Sequence, residues 1–197
     1  MLSAGSEIPG TEIRILGKDG RDQPDRHIGE ILIKSDCMLN GYFNRPGLTK
    51  KSFRDGWYKT GDLGYRSGGE LYVTGRIKDL IIVGGKNIYP QDLESLASEV
   101  DGIHPGRVAA FGVFNKNSGT EEVVLSAESD RIIEGWIDSD QPPEIQRIAD
   151  EIRAKITRGS DVALRKVQIV ERNWLLKTSS GKVARNANRD KYLSQIN

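Results

Sequence analysis

Cysteine is nearly absent. Cys37 stands alone among 197 residues, so no intramolecular disulfide framework can form and a zinc site would lack its usual thiolate partners. Such sparse usage fits a reducing compartment. Histidine is as scarce: His27 and His104 lie far apart in Pro- and Gly-rich loops. Neither has a glutamate or cysteine at ligand spacing, so neither supports a metal centre or a nucleophile-His-acid triad. An excess of one charge is missing too, because 29 Lys+Arg face 28 Asp+Glu for a net of +1. Contact with nucleic acid or a membrane would have to come from a local patch. No stretch approaches the roughly 18 consecutive apolar residues of a membrane span. The opening Met1-Leu2-Ser3-Ala4-Gly5-Ser6-Glu7 lacks the basic and apolar parts of a secretory leader. These absences predict a soluble, cytoplasmic protein with no membrane span.

What is present is ordinary for a globular chain: 37% hydrophobic and 29% charged residues with 22 Gly, which excludes collagen, coiled coil and wholesale disorder. Two parts read differently. Up to about residue 76, short apolar alternations such as Glu12-Ile13-Arg14-Ile15-Leu16, Gly29-Glu30-Ile31-Leu32-Ile33-Lys34 and Glu70-Leu71-Tyr72-Val73-Thr74 predict strands. Lys18-Asp19-Gly20 and Ser67-Gly68-Gly69 punctuate them as turns. Beyond Lys78, strands alternate with helices. Pro90 opens a helix carrying Leu93, Leu96, Ala97 and Val100 that stops at Asp101-Gly102, and Pro142-Pro143 precedes one with Ile145, Ile148, Ala149, Ile152 and Ile156 on one face. Residues 107–113, 121–127 and 167–170 read as strands. The fold class is therefore α+β: a small antiparallel β subdomain over residues 1–77, then a compact α+β domain over 78–197. The first part opens inside a loop and strand, and short strands alone bury little area. A piece of a longer chain is the expectation.

Four clusters carry chemistry. In Gly56-Trp57-Tyr58-Lys59-Thr60-Gly61-Asp62-Leu63-Gly64 the glycines predict a tight loop around Thr60 and Asp62. A carboxylate there can accept two hydrogen bonds from a vicinal diol, or merely cap backbone amides. In the run from Gly75-Arg76-Ile77-Lys78-Asp79 to Tyr89-Pro90, residues 80–83 form an apolar strand entering a hairpin at Gly84-Gly85. Arg76 offers a planar fork for phosphate or ribose oxygens, against the plainer alternative of a surface ion pair. The segment Lys177-Thr178-Ser179-Ser180-Gly181-Lys182-Val183 is a hydroxyl- and glycine-rich loop, yet not a Walker A loop, since Leu176 replaces the first glycine and Val183 the Ser/Thr. By itself Lys182 reads as a solvated lysine. The fourth cluster is charge: Lys177, Lys182, Arg185, Arg189 and Lys191 oppose only Asp190 at the C-terminal end, whereas residues 115–151 hold ten acids and three bases. Only Tyr192 interleaves the basic run, which argues against a nucleic-acid stacking surface. The alternatives are a solvated helix face and a patch for an acidic partner or phosphate.

Taken in order, Tyr58-Lys59-Thr60-Gly61-Asp62, the stretch from Gly75-Arg76 to Glu94, and Lys177-Thr178-Ser179-Ser180-Gly181-Lys182 resemble the late motifs of the adenylate-forming superfamily of acyl-CoA synthetases, peptide-synthetase adenylation domains and luciferases. The wording Gly75-Arg76-Ile77-Lys78-Asp79-Leu80-Ile81-Ile82, Asn87-Ile88-Tyr89-Pro90-Gln91-Asp92-Leu93-Glu94 and Pro105-Gly106-Arg107-Val108-Ala109-Ala110-Phe111-Gly112-Val113 is most similar to the fatty acyl-AMP ligase branch. The resemblance implies that residues 1–77 are the β-rich end of a large N-terminal adenylation domain and 78–197 its mobile C-terminal lid. It implies that Lys182 is catalytic, that Asp62 and Arg76 bind nucleotide, that Lys78 is the hinge, and that Gly84 and Gly85 form the acceptor-face loop. It implies ATP and Mg in the full enzyme, a fatty acid substrate, and a phosphopantetheine acceptor on an acyl carrier protein or CoA. The superfamily's Gly/Ser/Thr-rich phosphate loop, adenine site and acyl pocket have no counterpart in this sequence, so the expectation is a part of an enzyme without turnover of its own. An acyl-CoA synthetase is the nearest rival. A non-catalytic carrier-protein or phosphopantetheine-binding module is the rival from another class.

Overall fold

The computed structural model describes residues 2–131 and 142–196. Three acids of the 115–151 segment, Glu134, Asp138 and Asp140, therefore lie outside the described residues. The chain divides into two compact units, Met1–Lys78 and Asp79–Asn197, and is α+β throughout.

The first unit holds β1 (Thr11–Leu16), β2 (Gly29–Ser35), α1 (Pro46–Ser52), β3 (Phe53–Arg54), β4 (Trp57–Ser67) and β5 (Glu70–Arg76). They form one antiparallel sheet in the order β1-β2-β4-β3, with β5 also paired to β4. The alternating stretches form strands, with Ile13 opposite Ile33 and Ile15 opposite Ile31. Ile15, Leu16, Ile31 and Leu32 are buried.

One expectation fails here. Residues 56–64 do not make a loop, because residues 57–64 run inside the eleven-residue strand β4. β2 pairs with this segment on one side, and β3 and then β5 on the other, and cross-strand pairing overrides a locally turn-like composition. The glycines serve the strand as bulge residues instead. Gly61 has φ +72° and lies where the register against β2 slips, between the Glu30–Leu63 and Leu32–Lys59 pairs, and a second slip, against β5, falls between Leu63 and Gly64. A Cβ on Gly64 would stand 2.4 Å from the Tyr72 carbonyl oxygen, so only glycine lets the two strands approach there.

The second unit begins in a 3-10 turn over Ile77–Asp79 and continues with β6 (Ile81–Val83), β7 (Lys86–Ile88), α2 (Pro90–Ser98), β8 (Val108–Asn115), β9 (Thr120–Glu128), α3 (Pro143–Gly159), β10 (Leu164–Val170) and α4 (Arg185–Ile196). Gly84 and Gly85, at φ +54° and +81°, make the two-residue turn that joins β6 to β7, as a turn with two positive φ values requires. A three-stranded sheet runs β10-β9-β8, with β10 parallel and β8 antiparallel to β9. Both faces are covered, which is why β8 reads as a nearly unbroken apolar run. Val108 and Ala110 face a cluster containing Leu93, Ala97, Leu125, Ile148, Ile152 and Ile156 from the α2 and α3 side. Ala109, Phe111 and Val113 alternate onto the other face with Val124, Trp174, Leu175 and Tyr192 beneath α4. The helix after Pro142 buries Ile145, Ile148, Ala149, Ile152 and Ile156, the spacing that predicted it. The helix opened by Pro90 ends sooner than its periodicity implies, at Ser98, whose hydroxyl turns back to the Glu94 carbonyl at 2.7 Å.

The two largest apolar clusters among the described residues are built wholly from the second unit. Replacing Ile152 by Ala there should cost about 2 to 5 kcal/mol, while Glu151→Ala on the opposite face of α3 should stay within about 0.5 kcal/mol. Urea denaturation midpoints of the two variants check this.

Candidate functional site

Within the second unit, the Gly-Lys loop is a closed structure. The Ala184 amide donates to the Leu176 carbonyl at 3.0 Å, Lys177 and Val183 form an antiparallel bridge, and the Thr178 amide donates to the Lys182 carbonyl at 2.8 Å. Inside this ring the Gly181 amide donates to the Thr178 carbonyl at 2.8 Å, and Gly181 takes φ +80°. The Thr178 hydroxyl accepts from the Lys182 amide at 3.2 Å and lies 2.9 Å from that of Ser180. The Thr178 hydroxyl thus serves the loop's own backbone. The Lys182 side chain is exposed, presented from a defined turn directly before α4.

Arg185, the first residue of α4, meets two carboxylates. Its Nε and Nη2 donate to Glu94 Oε1 and Oε2 at 2.7 and 2.6 Å, and its Nη1 donates to Asp79 Oδ2 at 3.0 Å. Glu94 Oε1 also accepts the Ala110 amide at 3.0 Å. The three side chains are only 22, 14 and 12% exposed for Arg185, Glu94 and Asp79. A bidentate pair in so dry a setting is strong and directional. The hydrogen bond from Arg185 to Glu94 raises the pKa of the guanidinium, against the opposing effect of burial.

This changes the meaning of the C-terminal basic run. Arg185 is consumed by the clamp, Arg189 pairs with Asp190 at 3.2 Å, and Lys191 donates to the Trp174 carbonyl at 2.7 Å while lying 4.1 Å from the centre of its ring. Burial lowers the Lys191 pKa. The run is not a continuous patch for an acidic partner, and Lys177 and Lys182 are its exposed members.

The hairpin bearing Gly84 and Gly85 is pinned by side chains of β9. Glu121 Oε2 accepts the Ile82 amide at 2.6 Å, and the Thr120 hydroxyl accepts from the Gly84 amide at 2.8 Å while donating to the Ile82 carbonyl at 3.1 Å. Both residues lie at the start of β9. Sequence reasoning passed over them, since a Thr-Glu pair opening a strand gives no local sign of such a role.

In the first unit, the bulge of β4 brings Asp62 opposite Arg76 on β5. Arg76 Nε donates to Asp62 Oδ1 at 2.7 Å. Thr60 supports this arrangement, its hydroxyl donating to the Ile31 carbonyl at 2.8 Å and accepting the Asp62 amide at 3.0 Å. Tyr58 lies two positions before Thr60 on the same strand. Its phenol is held above the ordinary tyrosine pKa, first by its 3.0 Å hydrogen bond with the Tyr42 hydroxyl and then by burial. Lys78 is the exposed last residue of this unit, inside the 3-10 turn. The structure therefore joins Asp62 to Arg76 and ties the start of the helix that follows Lys182 to Asp79, while Gly84 and Gly85 sit on a hairpin of their own.

Fold and sequence similarity together place the chain in the adenylate-forming superfamily, where it matches the C-terminal portion of the enzymes. It is 34% identical over 205 residues to a medium-chain fatty acid:acyl-carrier-protein ligase of Moorena producens, covering 98% of this chain and 33% of that protein. It is 36% identical over 201 residues to a long-chain fatty acid:AMP ligase of Mycolicibacterium smegmatis, covering 86% of this chain and 32% of that protein. Among solved structures, McyG A-PCP complexed with phenylalanyl-adenylate superposes with a TM-score of 0.84 at 33% identity, covering 99% of this chain and 34% of that one. The chain spans about a third of the length of the curated relatives it matches. No protein-family model matches it.

The pinning of the hairpin is directly measurable. Thr120→Val should speed amide exchange at Gly84 by about tenfold, the equivalent of one hydrogen bond, and leave the Leu125 amide in the core unchanged. Hydrogen exchange followed by NMR reads both.

Proposed function

We propose that this chain supplies the C-terminal part of an ATP-dependent ligase that adenylates a fatty acid and passes the acyl group to the phosphopantetheine thiol of a carrier protein. One observation carries most of the weight: a loop closed on its own backbone presents the exposed Lys182, in a chain similar along most of its length to fatty acid ligases.

In the first half-reaction a carboxylate oxygen of the fatty acid bonds to the α-phosphorus of ATP. The bond from that phosphorus to the bridging oxygen breaks, and pyrophosphate leaves with the electron pair. Anionic oxygens crowd together in the transition state, and a pre-positioned ammonium stabilises them there. Lys182 is assigned that role. Asp62 is assigned the ribose hydroxyls, for which a carboxylate has enough acceptor positions, and Arg76 the ribose or phosphate oxygens. The Asp62 and Arg76 pair fits a nucleotide's sugar and phosphate chemically, since it offers acceptor and donor side by side. Mg is expected with the nucleotide. Among the described residues no group of three or more His, Cys, Asp or Glu gathers to hold it, so no ligand for it is assigned to this chain.

In the second half-reaction the thiol sulfur bonds to the acyl carbon, AMP departs with the electron pair, and the thiol proton passes to solvent. Gly84 and Gly85 are assigned to the face that receives the pantetheine arm, where the missing side chains leave the backbone open to close approach. Lys78 is assigned to the pivot between the two half-reactions, because a change of domain orientation must be absorbed by a few torsions at a boundary. A cytoplasmic location accompanies this reading. Among the described residues, no helix is long and apolar enough to cross a membrane.

The second reading, a ligase that uses free CoA, differs only in the acceptor. A non-catalytic phosphopantetheine-binding module would need no Lys182. In the complete enzyme, Lys182→Ala should slow adenylation by on the order of a hundredfold, as loss of one charge-stabilising donor does. The chain alone should bind ATP weakly and release no pyrophosphate. Single-turnover pyrophosphate release with a panel of fatty acids checks both, and unchanged adenylation in Lys182→Ala would return the lysine to the solvated class.

A further inference from the structure

Asn188 is completely buried although it lies on a polar helix, three residues beyond Arg185. Its side-chain amide makes three hydrogen bonds. Oδ1 accepts the Leu176 amide at 2.8 Å, and Nδ2 donates to the Leu176 carbonyl at 2.9 Å and to the Ala184 carbonyl at 3.0 Å. Leu176 and Ala184 are the two residues at which the Lys182 loop closes. One buried side chain on α4 therefore grips both ends of the loop, while Arg185 fixes the first residue of the same helix against Glu94 and Asp79. The gripped segment is short and internally bonded, so a displacement at its base is transmitted to its tip.

An amide with these three hydrogen bonds costs little to bury, but an apolar replacement strands at least the Leu176 N–H. The geometry is demanding: only a side chain with an acceptor and two donors at fixed separation can serve Leu176 N, Leu176 O and Ala184 O at once, and among uncharged side chains that means a primary amide. Helix packing alone would be met by an apolar residue, since Phe111, Trp174 and Tyr192 line the same side of the sheet.

We propose that Asn188 is a positioning residue for Lys182: it sets where the loop delivers the ammonium, and so acts on adenylation and not on acyl transfer. This rests on the role of Lys182 proposed above. The test uses Asn188→Leu and Asn188→Ala in the complete enzyme, alone and combined with Lys182→Ala. The two half-reactions are measured separately, as pyrophosphate release and as transfer from supplied acyl-adenylate. Each Asn188 variant should slow pyrophosphate release by about ten- to a hundredfold, leave transfer within about threefold, and cost nothing further when Lys182 is already Ala. Parallel loss of both half-reactions, failure of both variants to fold, or full adenylation in a folded variant while Lys182→Ala is slow would each overturn the proposal. If Lys182→Ala itself adenylates normally, the functional reading falls and the role of Asn188 with it, and that single arm tells the two failures apart.

Discussion

A guanidinium held between two carboxylates fixes the second unit. Arg185 begins α4, Glu94 lies on α2, Asp79 begins the unit, and the Ala110 amide on β8 shares an oxygen of Glu94. Four segments far apart in sequence thus meet at one charged point. Such a clamp is not simply a source of stability, because desolvating three charges offsets much of their attraction. What it supplies is geometry: a bidentate fork accepts one arrangement of its partners, where an apolar contact would tolerate several. The loop that carries Lys182 ends where this clamp begins, so the placement of α4 and the placement of the lysine are the same problem.

The division of labour within that unit follows from this. Apolar packing on both faces of the β10-β9-β8 sheet provides the rigid body. Polar side chains then attach the two glycine-bearing loops to it, Asn188 and Arg185 at the Lys182 loop, Thr120 and Glu121 at the Gly84-Gly85 hairpin. Apolar side chains root both loops in that body, Ile81, Val83 and Ile88 at the hairpin and Leu175 and Val183 at the Lys182 loop, while the polar contacts fix their tips and ends. Loops held by a few specific hydrogen bonds on a stiff scaffold suit chemistry that needs exposed groups at defined places. The first unit follows the same logic on a smaller scale, where Thr60 anchors a bulged strand so that Asp62 meets Arg76.

Where the sequence was legible, periodicity made it so. The isoleucine spacing of α3, the alternation of β1 and β2 and the paired glycines of the β6-β7 turn each encode their element locally. β4 was not legible because glycine-rich wording reads as a loop, whereas partners about thirty residues upstream in β2 and about ten downstream in β5 decide that it is a strand. α1 was missed because it is seven residues long and buries none of them, leaving no apolar stripe to detect. The candidate residues Lys182, Asp62 and Arg76 stood out as motif residues, yet their supports did not. In Arg185-Asn186-Ala187-Asn188-Arg189-Asp190 nothing marks which polar side chain points inward. The one available signal was the spacing of Ala184, Asn188 and Tyr192 by four, which puts all three on one helical stripe.

The dependence of the second unit on its charged clamp is tested most directly by a double-mutant cycle. Unfolding free energies are measured for Arg185→Ala, Glu94→Ala and the double variant. If the clamp holds α2 and α4 together as described, the two substitutions should be coupled by about 1.5 to 3 kcal/mol. Effects that add to within about 0.5 kcal/mol would show that the two residues act independently, and would contradict the account.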